Sequence, residues 1–218
     1  MIRKRVMWVL LLMLPLIAAM SESASAQALA VQEGKHYLLL KSPQPVDTGA
    51  KIEVIEFFSY ACPHCADFEP VLQKWLTTAT NVEFRRVPVL FQPKWTALAK
   101  IFYTLDALDA ETRLSPAVFT AIHRNRIDLT EEQNFFAWAS RNGLDRAKVE
   151  DTYRSFAVAT KVNRAKSLAQ KYDVEHVPLM IVDGKYVTDP HQVGSAEQVP
   201  GVLDALIVKA RSERKSTK

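Results

Sequence analysis

Two cysteines three positions apart carry the only thiol chemistry in this chain of 218 residues, in the stretch Cys62-Pro63-His64-Cys65. A pair at that spacing closes a very small loop when oxidised. Stabilisation by a cross-link grows with loop length, so the bridge is a poor staple. It is better read as a tool. The thiolate, not the thiol, attacks disulfides, and a thiol becomes reactive where its surroundings favour the anion. A helix N-terminus does this with unpaired N–H groups and a partial positive charge. An apolar run precedes the motif and a helical pattern follows it. The arrangement points to thiol–disulfide exchange.

The elements that must position the cysteines are legible on both sides. Lys51 to Phe58 is rich in β-branched and aromatic residues and predicts a buried strand. Phe68, Val71, Leu72, Trp75 and Leu76 recur at helical spacing, predicting a helix from Cys62 to about Thr78, kinked at Pro70. Asn81 to Val89 alternates as a second strand. This is a βαβ unit, with parallel strands and a right-handed crossover. From Trp95 to Tyr172 no strand pattern appears. Trp95, Leu98, Phe102, Leu105 and Leu108 form one helical stripe, and Val118, Phe119 and Ile122 a second after Pro116. Thr130-Glu131-Glu132-Gln133 has the form of a capping box before a helix that ends near Gly143. Asp145 is placed to cap the next, and a longer helix carries Val158, Val162, Ala165, Leu168 and Tyr172. Asp183-Gly184 between two apolar runs predicts a tight hairpin. A last helix carries Val202, Leu203, Leu206 and Ile207, with Pro200 in its first turn.

Other chemistries are disfavoured. Haem attachment needs a histidine directly after the second cysteine, and Ala66 stands there. Structural zinc takes four ligands, and only Cys62, His64 and Cys65 cluster. No phosphate-cradling glycine loop is present. No metal and no cofactor are expected.

A Cys-x-x-Cys motif beside a βαβ pattern reads as thioredoxin-like. Val177-Pro178, just before the hairpin, strengthens this, because thioredoxin-like folds carry a cis proline there beside the cysteines. Together with Glu56 to Cys65, Asp183-Gly184-Lys185-Tyr186 and the helical block, these residues resemble the DsbA family of periplasmic thiol:disulfide interchange proteins. The resemblance covers nearly all of the chain after its leader. It implies an α/β thioredoxin fold with an inserted all-helical domain: residues 27–94 and 173–218 form the thioredoxin-like part, 95–172 the insertion. It implies that Cys62 is the exposed nucleophile and Cys65 the buried resolving thiol. His64 would donate to, or pair with, the Cys62 thiolate, with Pro63 beside it. Glu56 would be a buried acid that shuttles protons to Cys65, since a glutamate in an apolar strand is costly unless it titrates or pairs. Pro178 would let Val177 present its backbone to an extended substrate, with Tyr60, Leu90 and Phe91 on an apolar substrate face.

Residues 1–26 have the anatomy of a secretory signal: basic Arg3-Lys4-Arg5, an apolar stretch from Val6 to Met20 interrupted by Pro15, and Ala24-Ser25-Ala26 before Gln27. Its removal lowers the net charge from +4 to +2, too mild to argue for nucleic acid. The basic end from Arg211 to Lys218 is expected to be frayed and solvated. The chain is therefore expected in the periplasm, as a monomer. It would oxidise newly exported cysteine-containing proteins and be reoxidised by a DsbB-like membrane partner linked to quinone. The alternatives are a reductase or isomerase using the same site, or a non-enzymatic chaperone or metal-binding module. An isomerase of the DsbC kind carries an N-terminal dimerisation domain, for which residues 27–50 are too short.

Overall fold

The computed structural model describes residues 30–216. The predicted signal segment lies outside the described residues. Five strands form one sheet in the order β1-β5-β4-β2-β3. They are β1 (Leu38–Leu39), β2 (Ile52–Phe58), β3 (Val82–Pro88), β4 (Leu179–Val182) and β5 (Tyr186–Thr188). β2 is an interior strand, buried at every position. It pairs parallel with β3, Glu56 opposite Arg86, and antiparallel with β4, Glu56 opposite Met180. Successive residues of a strand face opposite sides of the sheet. Ile52 and Val54 accordingly pack under α1 (Pro63–Leu76) and α8 (Val199–Ser216), while Ile55 and Phe57 pack under α6 (Phe156–Lys171). The pattern is that of a thioredoxin fold.

Between β3 and β4 the chain is helical: α2 (Trp95–Ala107), α3 (Glu111–Phe119), α4 (Glu132–Arg141), α5 (Arg146–Tyr153) and then α6. A single π-helical turn, Thr120–Arg124, continues α3. The aromatic stripes of this block are core residues. Phe102, Phe119, Phe135, Phe136 and Tyr153 share one buried cluster with Phe58, Tyr60, Cys62 and Cys65. The cysteines thus sit in the seam where the helical block meets the sheet layer.

Several local expectations change. Pro116 lies inside α3, which starts five residues earlier at Glu111; the apolar stripe marked only its second half. The capping box does not form. Glu131 is the N-cap of α4 without a side-chain bond, and the Thr130 hydroxyl donates instead to Asp128 at 2.5 Å. Asp145 does cap α5 by accepting from the Lys148 amide, and Ser155 caps α6 in the same way. Asp183 and Gly184 both have positive φ, 56° and 61°, as a type I′ hairpin turn requires. The basic end is not frayed as far as it is described: Arg214 on α8 donates to Asp183 at that turn and to the carbonyls of Gly49 and Lys51. β1 lacked a sequence signal, being two residues long; α7 (Pro190–Val193), capped by Asp189, is equally short of one.

Candidate active site

The loop from β2 into α1 delivers Cys62 as the N-cap residue, in extended conformation, with Pro63 at the first helical position. Proline suits that position because its missing N–H would have no partner there. Cys62 is less open than expected. Its residue is only 8% accessible, and its Sγ donates to the Val177 carbonyl at 3.4 Å. Val177 packs against the cluster that holds Cys62, and the Val177–Pro178 bond is cis. Cys65 is fully buried, and both thiols are free.

The two sulfurs are driven in opposite directions. The Cys62 thiol is lowered from an ordinary 9.0 to about 6. The largest cause is a hydrogen bond from the Cys65 thiol; desolvation opposes it, and the backbone N–H groups of Cys65 and His64 add to it. The His64 charge contributes least, so the exposed His64 side chain is a minor partner rather than the main one. Cys65 is pushed far up, by burial first, then by its bond to Cys62 and by the charge of Glu56. A thiol one turn inside a helix, with no open side, gains only a backbone hydrogen bond from Ser59 against that burial.

Glu56 lies on the face of β2 that looks toward α1 and is completely buried. Burial raises its carboxyl from 4.5 to about 7 against the pull of Arg86. Arg86 Nε donates to Glu56 Oε2 at 2.6 Å, while Glu56 Oε1 has no partner. Arg86 also bonds Glu69 of α1 at 2.6 Å and Glu111 of α3 at 3.2 Å, and its guanidinium lies 4.4 Å from the centre of the Phe58 ring. Sequence reasoning missed Arg86, Glu69 and Glu111. The available signal was a charged residue at position 86, on the strand face shared with Val82 and Phe84.

Tyr60 is not a surface residue. It is 1% accessible, and its hydroxyl shares a 2.6 Å hydrogen bond with Ser115. Its carbonyl is 2.8 Å from His123 Nε2 on the π-helical turn. The phenol fills the seam between sheet and helices, so Tyr60 supports the cysteine loop from beneath. Phe91 is exposed and rests against Trp95 with ring centres 5.5 Å apart; Leu90 packs by Val158 and Val162. Neither reaches the hollow next to the cysteines. That hollow holds about 700 Å³ and is walled by Leu38, His64, Val177, Pro178, Val187 and Pro190 among others, largely apolar. Among the described residues, no group of three or more metal-ligating side chains assembles, and no helix is long and apolar enough to cross a membrane.

Residues 53–205 match the DSBA-like thioredoxin domain family. The chain belongs to the DsbA family. It is 37% identical over 213 residues to the thiol:disulfide interchange protein DsbA of Burkholderia cepacia, covering 97% of this chain and 99% of that one. Its identity to the DsbA of Pseudomonas syringae pv. tomato is 40% over 205 residues, covering 93% and 96%. The crystal structure of Pseudomonas aeruginosa DsbA superposes with a TM-score of 0.80 at 38% identity, covering 85% of this chain and 97% of that one. The oxidoreductase NmDsbA1 of Neisseria meningitidis gives 0.75 at 29%, covering 84% and 96%. In the DsbA frame, α2 to α6 are the helical insertion of the thioredoxin fold. The chain is a thiol:disulfide oxidoreductase.

Proposed function

We infer that this DsbA-family protein is a dithiol oxidase that hands the Cys62–Cys65 disulfide to cysteine-containing proteins. The observation that carries the reading is the opposed pair of thiols: Cys62 lowered to about 6, Cys65 pushed far up. A substrate thiolate attacks Cys62 Sγ. The Sγ–Sγ bond breaks and its electron pair leaves on Cys65. The buried anion takes a proton from Glu56, whose carboxyl near 7 still holds one in part of the population at neutral pH. A second substrate thiolate then attacks the substrate sulfur of the mixed disulfide, and Cys62 leaves as a thiolate. Low-pKa thiols leave faster, so the step runs toward substrate oxidation. Val177 presents its backbone to the substrate segment beside Cys62, and the apolar hollow next to Pro178 takes flanking side chains. Pro63 sets the start of α1, and the His64 amide helps hold the thiolate.

The protein works as a monomer in the periplasm, on newly exported chains. A DsbB-like membrane protein removes the electrons to quinone. Equilibration with a glutathione buffer, read by intrinsic fluorescence, tests the direction of flow. The expected potential is well above that of thioredoxin, about −270 mV. A value at or below that figure overturns the oxidase reading in favour of a reductase.

A further inference from the structure

One guanidinium serves three carboxylates in the interior of this molecule. Arg86 donates its Nε to Glu56, its Nη2 to Glu69, and its Nη1 to both Glu111 at 3.2 Å and Glu69 at 3.4 Å. The side chains of Glu56, Glu69 and Arg86 are at most 4% accessible, and that of Glu111 is 17%. The three acids come from three elements, β2, α1 and α3. A single cation cannot neutralise three anions, two of them buried and the third half-buried. Unpaired buried charge is costly, and carboxylates that share a site hold a proton rather than all ionise. The partners decide where that proton sits. Glu69 Oε1 accepts from Gln73 at 3.0 Å, and Glu111 Oε1 accepts from Ser115 at 2.7 Å. Each thus has a neutral donor besides Arg86. Glu56 Oε1 accepts from nothing. Of the titratable groups around Glu56, β3 contributes Arg86, α1 contributes Cys65 and Glu69, and α3 contributes Glu111; its β4 neighbour is Met180, and Tyr60 of the β2–α1 loop faces Arg86 and the other two acids.

We propose that Glu69 and Glu111 are positioning residues for the thiol exchange, which by competing with Glu56 for Arg86 keep a proton on the buried Glu56 carboxyl. Glu111 joins the cluster from the helical insertion, so the insertion helps to set the protonation of the site beneath the cysteines. The inference rests on Glu56 as the proton donor to Cys65 only for its effect on rate. Its effect on Glu56 itself stands alone.

Glu111→Gln is the test, because it removes the charge and keeps the size. Two readouts are followed against pH: Glu56 protonation, from the carboxylic-acid C=O stretch lost in Glu56→Gln, and the rate at which dithiothreitol reduces the disulfide. The expected result is a Glu56 midpoint lower by about one pH unit, as fits an acid that gains a larger share of its cation. The alkaline limb of the rate profile should move with it. Glu111→Asp should restore most of the midpoint, and Glu56→Gln with Glu111→Gln should show no shift beyond Glu56→Gln alone. An unmoved Glu56 midpoint in a folded Glu111→Gln protein overturns the proposal. A midpoint that moves without the rate profile supports the competition for Arg86 and instead removes Glu56 from the role of donor. If Glu111→Gln does not fold, Glu69→Gln takes its place: a lowered Glu56 midpoint supports the proposal and an unmoved one overturns it.

Discussion

Replacing Cys62 by alanine should abolish a pH-dependent part of the stability of the reduced protein, and the size of that part can be worked out. The thiol falls from 9.0 unfolded to about 6 folded. A depressed folded pKa gives stability that is full above the unfolded value and lost as pH falls through the folded one. Three pKa units set a ceiling of about 4 kcal/mol above pH 9. At pH 7, one unit above the folded value, the contribution is about 1.4 kcal/mol, and at pH 5 it is close to zero. Glu56 runs the other way. Its raised carboxyl favours the fold below 4.5 and loses that favour as pH climbs through about 7. The difference between wild type and Cys62→Ala removes this common background, along with the constant cost of the lost sulfur. Cys65, pushed up, stays protonated in the fold and does not enter below pH 8. Denaturant midpoints of both reduced proteins at pH 5, 6, 7 and 8 are the assay. The wild-type advantage should grow steadily across that series. A difference that stays flat, or shrinks, would refute the thiolate as a source of stability. The same interaction raises the reduction potential, by roughly 20 mV for 1 kcal/mol in a two-electron couple.

Cys65→Ala removes the largest support of the Cys62 thiolate, so ultraviolet thiolate absorbance should titrate above about 6, nearer the ordinary value; an unchanged midpoint would transfer the credit to the helix amides. Cys65→Ser should accumulate substrate as mixed disulfides on Cys62, detected by mass spectrometry of non-reduced adducts; adducts trapped only by Cys62→Ser would reverse the roles. Tyr60→Phe leaves the packing of the seam and deletes the bond to Ser115, at a cost of about 1 kcal/mol in a denaturant melt; a neutral result would show that Ser115 is satisfied by Glu111 alone. Gly184→Ala should cost more than about 1 kcal/mol, because φ is +61° and a Cβ would clash with the Gln44 carbonyl oxygen.

What the sequence determined by itself is most of what depends on local spacing. The strand before Cys62, the helix after it and the Asp183-Gly184 turn follow from residue types within a few positions, because backbone preferences act over that range. The proline at 178 also stood out beside its strand. With the cysteine motif these were enough to fix the family and the chemistry. Tertiary structure decided how the two thiols differ. Cys62 finds the Val177 carbonyl 115 residues away, and its anion is held mainly by Cys65 rather than by His64. Burial moved Tyr60 from an expected substrate face into the seam. The β2–β3 register put Arg86 directly beside Glu56, and α3 brought Glu111 to the same guanidinium. No spacing rule reports such meetings. A buried charge is tolerated only where partners from distant segments converge on it, and that convergence exists only once the chain has closed.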